Sequence, residues 1–429
     1  MPSNKVSIII PVIRPDKAKR CMDAARAHAG IPPENVEIIA VEDTEGIGAP
    51  EMVKRLTSIA QHDLVCFLGD DTIPQEGFLF EALAVMNRFE DGWGLVALND
   101  GIWNGRLPTH WLAHKRLLPY LDGEFFSTAY THCFCDNELM DRAVDLHRYA
   151  YAPKARIIHD HPHVTGEQYD DGYKRAYRMD VFTADQRTYW RRKRDRNGFN
   201  LAICLPLAGN QQDNEFWLSF AAMEKPVHRV VAPQIPVGRF ASDIADLRED
   251  IAYQCLHAGM SHILFLDSDQ IYPPDTITKL SSHIRDGWGI IAAPVHRRYP
   301  PFELILKRGT PDRYQQVSDE EAYSGNVIEV DAVGTGCMLI DTSVLIDMER
   351  PWFQITRTES GSPIGEDIRL CSKARGLGYR ICADTSIEID HIAKVSVNRT
   401  FCEIFKELER KNRIRLVTDE TTKEVQHGI

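Results

Sequence analysis

The sequence predicts an α/β protein with mostly parallel sheets, built twice along one chain. Three observations carry that expectation. Apolar, strand-like runs alternate with helical segments, the runs end in acidic or turn residues, and the whole order recurs in the second half. The first cycle opens with KVSIIIPVI (5–13), a buried strand stopped by Pro11 and a polar turn, and a helix follows from Asp16 to His28. VEIIAVED (36–43) is a second strand with acidic residues at its C-terminal end, and residues 51–60 are helical. DLVCFLGDD (63–71) is a third strand that runs into a carboxylate pair. Ligands of such sheets collect beyond the C-terminal ends of the strands.

The second cycle repeats the pattern with strands at NLAICLP (200–206), HRVVAPQIP (228–236) and SHILFLDSD (261–269). DLVCFLGDDTIP aligns with SHILFLDSDQIYP, and FEDGWGLVAL (89–98) with IRDGWGIIAA (284–293). Two weaker matches follow, CDNELMDRA with EDIRLCSKA and RIIHDHP with SIEIDHI. The expected organisation is a first domain over 1–184, a basic linker at 185–198, a second domain over 199–405 and a charged tail at 406–429.

Composition narrows the function classes. The chain has 429 residues, enough for two or three domains, and its 43% hydrophobic and 26% charged residues suit a globular protein with a real core. The net charge is −12 and both halves are acidic, so wholesale electrostatic binding of nucleic acid is not expected. The segment DQRTYWRRKRDRNG (185–198) reads either as a solvated helix end or as a strip for phosphates or single-stranded nucleic acid. Ten cysteines include no CxxC, which argues against a zinc cluster and for reduced thiols in a cytoplasmic protein. Met1 leads into the first strand without a leader pattern, and no apolar run nears the ~20 residues of a membrane span.

The sharpest chemical signal is LFLDSDQIYPP, where Asp267 and Asp269 follow a buried strand. Two carboxylates at that spacing can meet one hard divalent cation and the ribose of a nucleotide. Oxygen ligands of this kind suit Mg²⁺ or Mn²⁺ that also holds phosphates.

With these motifs in order, nearly all of residues 5–395 resembles two tandem GT-A-fold glycosyltransferase domains, the Rossmann-like fold of nucleotide-diphospho-sugar transferases. The chain is similar to family 2 and to related bacteriophage enzymes. The resemblance implies that Asp267 and Asp269 form the DxD motif, with Asp269 the direct metal ligand. In PIGEDIRLC it makes Glu366 and Asp367 the catalytic motif at a helix start, Asp367 being the general base, and it places His391 of IEIDHI on the metal. Arg248 falls where the family has a basic residue near the diphosphate. Gly334 and Gly336 in VDAVGTGCMLID line the donor and acceptor pocket, or else mark a strand with a bulge.

The first domain departs from the DxD pattern. Gly69 stands opposite Asp267, Asp70 opposite Ser268 and Asp71 opposite Asp269. By the same resemblance Asp71 and His161 are metal ligands, Asp70 and Asp43 (or its neighbour Glu42) meet the donor, and Asp136 matches Asp367. The run His159, His161 and His163 is a possible metal cluster that Pro162 would break. Trp93 and Trp288, each in DGWG, read as turn packing or as sugar-stacking platforms, and His110, His114 and Lys115 lie in acceptor-loop territory.

The expected activity is therefore a metal-dependent transfer of a sugar from a nucleotide-diphosphate donor, UDP-sugar favoured, to a glycan or other hydroxyl, with Mn²⁺ or Mg²⁺ as cofactor and an Asp general base. Three other readings stay open: transfer to a hydroxymethylated base in phage DNA, nucleotidyl transfer, and a non-catalytic nucleotide-sugar or glycan scaffold. Nucleotidyl transfer would ordinarily need a Gly-rich, basic loop after the first strand, which neither PVIRPDKAKR nor PLAGNQQDNE supplies.

Overall fold

A computed structural model describes residues 5–161, 168, 174, 177–207, 213–225, 244–358, 361–393 and 397–410. Chain contacts divide it into two compact units. One comprises Met1–Ala202, Asp250–Ile263 and Asp341–Arg350; the other comprises Ile203–Glu249, Leu264–Ile340 and Pro351–Ile429.

The first sheet grows from β1 (Val6–Val12), whose VSIIIPV is buried at every position but Pro11. A run this apolar is stable only with both faces covered, the condition of a central strand in an α/β sheet. β1 pairs in parallel with β2 (Val36–Glu42) on one side and β3 (Leu64–Phe67) on the other. The chain then adds β4 (Thr72–Pro74), β5 (Leu95–Asn99), β6 (Trp111–His114) and β7 (Tyr149–His159), in the order β2-β1-β3-β6-β5-β7-β4. α1 (Pro15–His28) opens with Pro at its first turn, where the missing N–H costs nothing. With α3 (Phe78–Met86) it buries Ala18, Cys21, Ala25, Phe78, Leu79 and Met86 in one core with Ile8, Ile10 and Leu112. α2 is Ala49–Ile59 and α4 is Cys135–Asp145.

The α/β class holds, but the sheets are mixed rather than mostly parallel. β6 runs antiparallel to both β3 and β5, and β4 antiparallel to β7. For β5 and β6 the cause lies in the connection, since a parallel return needs a crossover, usually a helix, and residues 100–110 hold none.

The second sheet repeats the first. β8 (Leu201–Cys204), β9 (His262–Leu266), β10 (Gln270–Ile271) and β11 (Ile290–Ala292) are followed by a small sheet of β12 (Leu306–Arg308), β13 (Gln315–Gln316) and β15 (Ala332–Val333). β14 (Val327–Val330), β16 (Cys337–Asp341), the hairpin β17 (Thr356–Arg357) and β18 (Pro363–Ile364), β19 (Ile381–Asp384) and β20 (Asp390–His391) complete the strands. The main order is β14-β19-β11-β16-β9-β8. Read from β8 outward, it matches β1-β3-β6-β5-β7 strand for strand, including the parallel β11–β19 and antiparallel β11–β16 pairs. The strand expected at 228–236 lies outside the described residues, as do Pro162, His163 and tail residues 411–429.

The segment expected as a linker is the C-terminal part of a 19-residue helix, Met179–Asn197, that buries Asp185, Tyr189 and Trp190. No helix of the described residues is long and apolar enough to cross a membrane. All ten cysteines are free thiols.

Candidate active site

In the first half, the C-terminal ends of β1, β2 and β3 and the start of α4 surround a cavity of about 410 Å³. Asp43, Asp70, Asp71, His110, Asp136, His159 and His161 all line it. Five of these seven were expected from the sequence as site residues: Asp43, Asp70, Asp71, Asp136 and His161.

Asp43 and Asp70 hold the walls. Asp43 accepts the backbone N–H groups of Ile47 (2.8 Å) and Gly48 (2.9 Å), pinning the turn into α2. Asp70, almost fully buried, accepts those of Ile13 (2.8 Å) and Arg14 (2.7 Å) and pairs with the Arg14 guanidinium at 2.6 Å. Burial pushes the Asp70 carboxyl up, against the pull of Arg14. Both carboxylates spend oxygens on the loops that form the cavity rim.

Asp71 faces inward. Arg14 reaches it at 3.2 Å, and His159 Nε2 lies 3.6 Å from its Oδ1. One ligand atom each from Asp71, His110 and His159 lies within 4.8 Å of the others. An ion about 2.1 Å from each of three donors needs them roughly 3–4 Å apart, so a small inward movement would make this set fit. Burial, and then the neighbouring His159, push the His110 imidazole down to about 3, which keeps it neutral with a lone pair free for a ligand. The donor set of one carboxylate and two imidazoles thus fits a divalent cation. Sequence reasoning named His159 only within a possible His159, His161 and His163 cluster, never with Asp71, and gave His110 only a loop role. Their signal was three-dimensional, because β7 and β6 bring both rings to Asp71.

His161 also lines the cavity, its ring centroid 5.1 Å from that of His159, but strand register withdraws its assigned correspondence with His391. Thr72 opposes His159 and Gln270 opposes His391, where Thr72 and Gln270 each follow the second aspartate of their motif. The adjoining backbone bonds agree: Asp160 N–H donates to Asp71 O at 2.9 Å, and Ile392 N–H to Asp269 O at 2.8 Å. His159 is the counterpart of His391.

Asp136 is the second residue of α4 and accepts the N–H of Asn137 at 2.9 Å. Burial pushes its carboxyl up to about 6. Phe134, at φ +66°, turns the chain into the helix, and the three preceding N–H groups of Thr131, His132 and Cys133 all donate to Asp185, at 2.9, 2.8 and 2.8 Å. Asp185, on the helix Met179–Asn197, had no role in the sequence reading.

In the second half, Asp367 is likewise the second residue of its helix (Glu366–Gly376) and accepts the N–H of Ile368 at 2.7 Å. Burial and then the charge of Glu366 push it up to about 6. His391 donates through Nδ1 to the His296 carbonyl (2.6 Å), and its Nε2 lies 3.2 Å from Asp269. That bond fixes the ring so that Nε2 faces Asp269, whose carboxylate holds the imidazole above its ordinary range. Asp269 and His391 thus face each other, but Asp267 is engaged by Arg248, and among the described residues only Asp71, His110 and His159 bring three such donor atoms within 4.8 Å of one another.

Three assignments in this half change. Arg248, expected at a diphosphate, is buried between two carboxylates, Asp267 (2.6 Å) and Glu366, with both terminal nitrogens engaged. It ties the residue after β9, Asp267, to the start of the helix Glu366–Gly376 instead. Gly336 faces the side-chain amide of Gln270, itself buried and bonded to Tyr272, and Gly334 faces Ile305. Neither glycine opens space for a donor on its Cβ side; both let a neighbour pack close. Asp269 carries Arg298 at 2.7 Å. Burial raises its carboxyl, but His391 and Arg298 outweigh that and hold it below the ordinary range.

Outside the sites, Trp93 and Trp288 prove to be packing residues, with Arg148 and Arg380 stacked on their rings at 4.1 and 4.0 Å. Lys115 donates to Ala60 O (2.7 Å) and the His114 ring accepts from Arg116 N (3.0 Å). The basic strip is committed to carboxylates: Arg192 and Arg196 to Glu138 (2.8 and 2.7 Å), Arg194 to Asp341 and Arg191 to Asp347 (both 2.8 Å).

No family model matches the chain, and no curated protein is similar to it. Among solved structures, A197 from STIV is similar over 47% of this chain and all of its own, at 16% identity and TM-score 0.32. S. aureus TarS 1–349 in complex with UDP-GlcNAc is similar over 44% of this chain and 64% of its own, at 14% identity and TM-score 0.34. The mannosyltransferase PcManGT from Pyrobaculum calidifontis in complex with GDP-Man and Mn²⁺ is similar over 44% and 61%, at 13% identity and TM-score 0.30. Likenesses this distant decide neither reaction nor substrate.

Proposed function

We propose that this protein transfers a sugar from a nucleotide-diphosphate donor to an acceptor hydroxyl, and that the first-half cavity is a reacting centre. One observation carries the reading: a carboxylate raised to about 6, Asp136, opens on the same cavity as the corner formed by Asp71, His110 and His159. A base with its pKa near working pH can take the acceptor proton as the hydroxyl attacks the anomeric carbon, a contribution of about 10²–10⁴-fold. Asp71 and His159 would hold a divalent ion, Mn²⁺ or Mg²⁺, which supplies Lewis-acid relief of the charge on the departing diphosphate. Arg14, 3.2 Å from Asp71, brings positive charge to the same corner. Asp43 and Asp70 shape the donor pocket through the loops that they pin.

The second half repeats the parts, with Asp367 as base and Asp267, Asp269 and His391 at the metal end. A specific observation favours a second reading there. Arg248 and Arg298 already balance Asp267 and Asp269, which suits a half that binds a glycan or nucleotide without reacting.

Melting curves with UDP-, GDP- and other nucleotide sugars, with and without Mn²⁺, test the proposal, because a ligand bound only to the native state raises the melting point. We expect UDP-sugar plus Mn²⁺ to stabilise the protein, Asp71→Ala on an Asp269→Ala background to abolish the shift, and Asp136→Asn to keep the shift while losing transfer. No shift with any nucleotide sugar would overturn it.

A further inference from the structure

The two halves differ at one pair of positions inside the same framework. The second half has Asp267 at the end of β9 and Cys337 at the start of β16; the first half has Gly69 and His110. The register fixes the second correspondence. Ala97 opposes Trp111 in the first sheet and Ala292 opposes Met338 in the second, and the N–H groups of Leu98 and Ala293 donate to the carbonyls of His110 and Cys337 at 2.9 and 3.1 Å. A large side chain has replaced a small one at this position, and the opposite has happened at its neighbour.

The exchange is compensated in space. A Cβ placed on Gly69 would sit 2.8 Å from Asp71 Oδ1 and 3.1 Å from His110 Nε2. The imidazole therefore reaches into the volume that a side chain at residue 69 would need. It is 97% buried and stacked on Phe67, with ring centroids 5.9 Å apart. The acid lost at Gly69 is thus matched by a nitrogen donor gained at His110, aimed at the same aspartate.

We infer that Asp71, His110 and His159 form a transition-metal site of two imidazoles and one carboxylate, with His110 standing in for the missing first aspartate. This rests on the reading of the cavity as a donor site and makes its metal end distinct from the oxygen-rich corner of the second half. Imidazole donors favour Mn²⁺, Co²⁺ or Zn²⁺ over Mg²⁺, which prefers oxygen ligands and keeps its waters. Three protein donors leave positions on the ion for phosphate oxygens.

The test uses metal-stripped full-length protein carrying Asp269→Ala, which removes the second-half corner, titrated with Co²⁺ alone and read by visible d–d absorption. We expect Co²⁺ to bind with an imidazole-type spectrum, Mg²⁺ at equal concentration to leave that spectrum unchanged, and His110→Gln to weaken binding by more than about 100-fold, the upper end of what losing even an outer-shell partner costs. His159→Gln gives the same reading should His110→Gln fail to fold, and near-ultraviolet dichroism of the metal-free variants separates folding from ligation. Co²⁺ affinity unchanged in both variants, or ready displacement by Mg²⁺, would overturn the assignment. Co²⁺ binding without any nucleotide-sugar binding would leave it standing and remove only the donor-site reading.

Discussion

His159 and His391 hold the same place in the two halves. Each lies on a strand opposite the residue that follows the motif's second aspartate, with its Nε2 3.6 Å from Asp71 and 3.2 Å from Asp269, respectively. The two similar sheet orders each set an imidazole against an aspartate within different surrounding sequence.

This register separates two histidines that a linear alignment confuses. His159→Ala should abolish the Mn²⁺-dependent stabilisation by UDP-sugar, whereas His161→Ala should retain it with affinity changed by no more than a few-fold. Calorimetric titration of UDP with Mn²⁺ present reads both. Equal loss in the two variants would remove the special place of His159.

Asp136 sets a pH dependence. Its folded value, about 6, lies above its ordinary 3.8, so the folded state holds the proton more tightly than the unfolded chain does. The stability it contributes is complete below about pH 4 and is lost as pH rises through about 6. Asp136→Asn, which cannot ionise, should melt higher than the wild type at pH 7 and level with it near pH 4. Activity has the opposite slope: kcat/KM should rise about tenfold per pH unit below 6 and level above it, and Asp136→Asn should lose about 10²–10⁴-fold at pH 7. Melting curves and initial rates from pH 4 to 8 check both.

Much of the fold was legible because strands buried on both faces, such as VSIIIPV and HILFL, are continuous apolar runs, and because the repeat fixed their order twice. The carboxylates Asp71, Asp136 and Asp367 were legible for a local reason: each stands beside a strand end or a helix start that the pattern marks. His110 and Asp185 were not. His110 lies 39 residues from Asp71 and Asp185 lies 49 from Asp136, so only tertiary packing brings either of them to the site. The glycines of VGTG misled because Gly serves close packing as readily as ligand approach, and only the positions of Gln270 and Ile305 decide which.

The Gly336 finding yields a stability test. Gly336→Ala puts a methyl group against the Gln270 amide, which is itself buried and bonded to Tyr272, and overpacking of this kind costs about 1–3 kcal/mol. Urea unfolding should show that loss, and Gly336→Ala combined with Gln270→Ala should recover part of it. Donor affinity should stay unchanged, as it would not if Gly336 lined the donor pocket.

The arginines of the helix Met179–Asn197 bear on nucleic acid. With Arg192 and Arg196 on buried Glu138, the helix has little free positive charge to offer a phosphate backbone. Fluorescence anisotropy with a labelled single-stranded oligonucleotide should show no salt-dependent binding at 150 mM NaCl. Glu138→Gln breaks one partner out of the network and should destabilise the protein by about 3–5 kcal/mol.

Asp185 connects that helix to the chemistry. One carboxylate accepts three consecutive backbone N–H groups, from Thr131 to Cys133, and the chain then turns at Phe134 in a left-handed conformation to present Asp136. Asp185→Asn keeps the shape but replaces one acceptor oxygen with a donor, so at least one of those buried N–H groups loses its partner, at a cost of about 1–3 kcal/mol. The expected signature is a kcat lowered by about tenfold or more with the donor KM nearly unchanged, because the loop that presents Asp136 is loosened while the corner of Asp71, His110 and His159 is untouched. The pH–rate profile should also broaden as Asp136 samples wetter positions and its pKa falls toward the ordinary range. Asp185→Glu, which restores the charge, should recover more activity than Asp185→Asn. Donor KM and kcat falling together with an unmoved pH profile would assign Asp185 to fold stability alone.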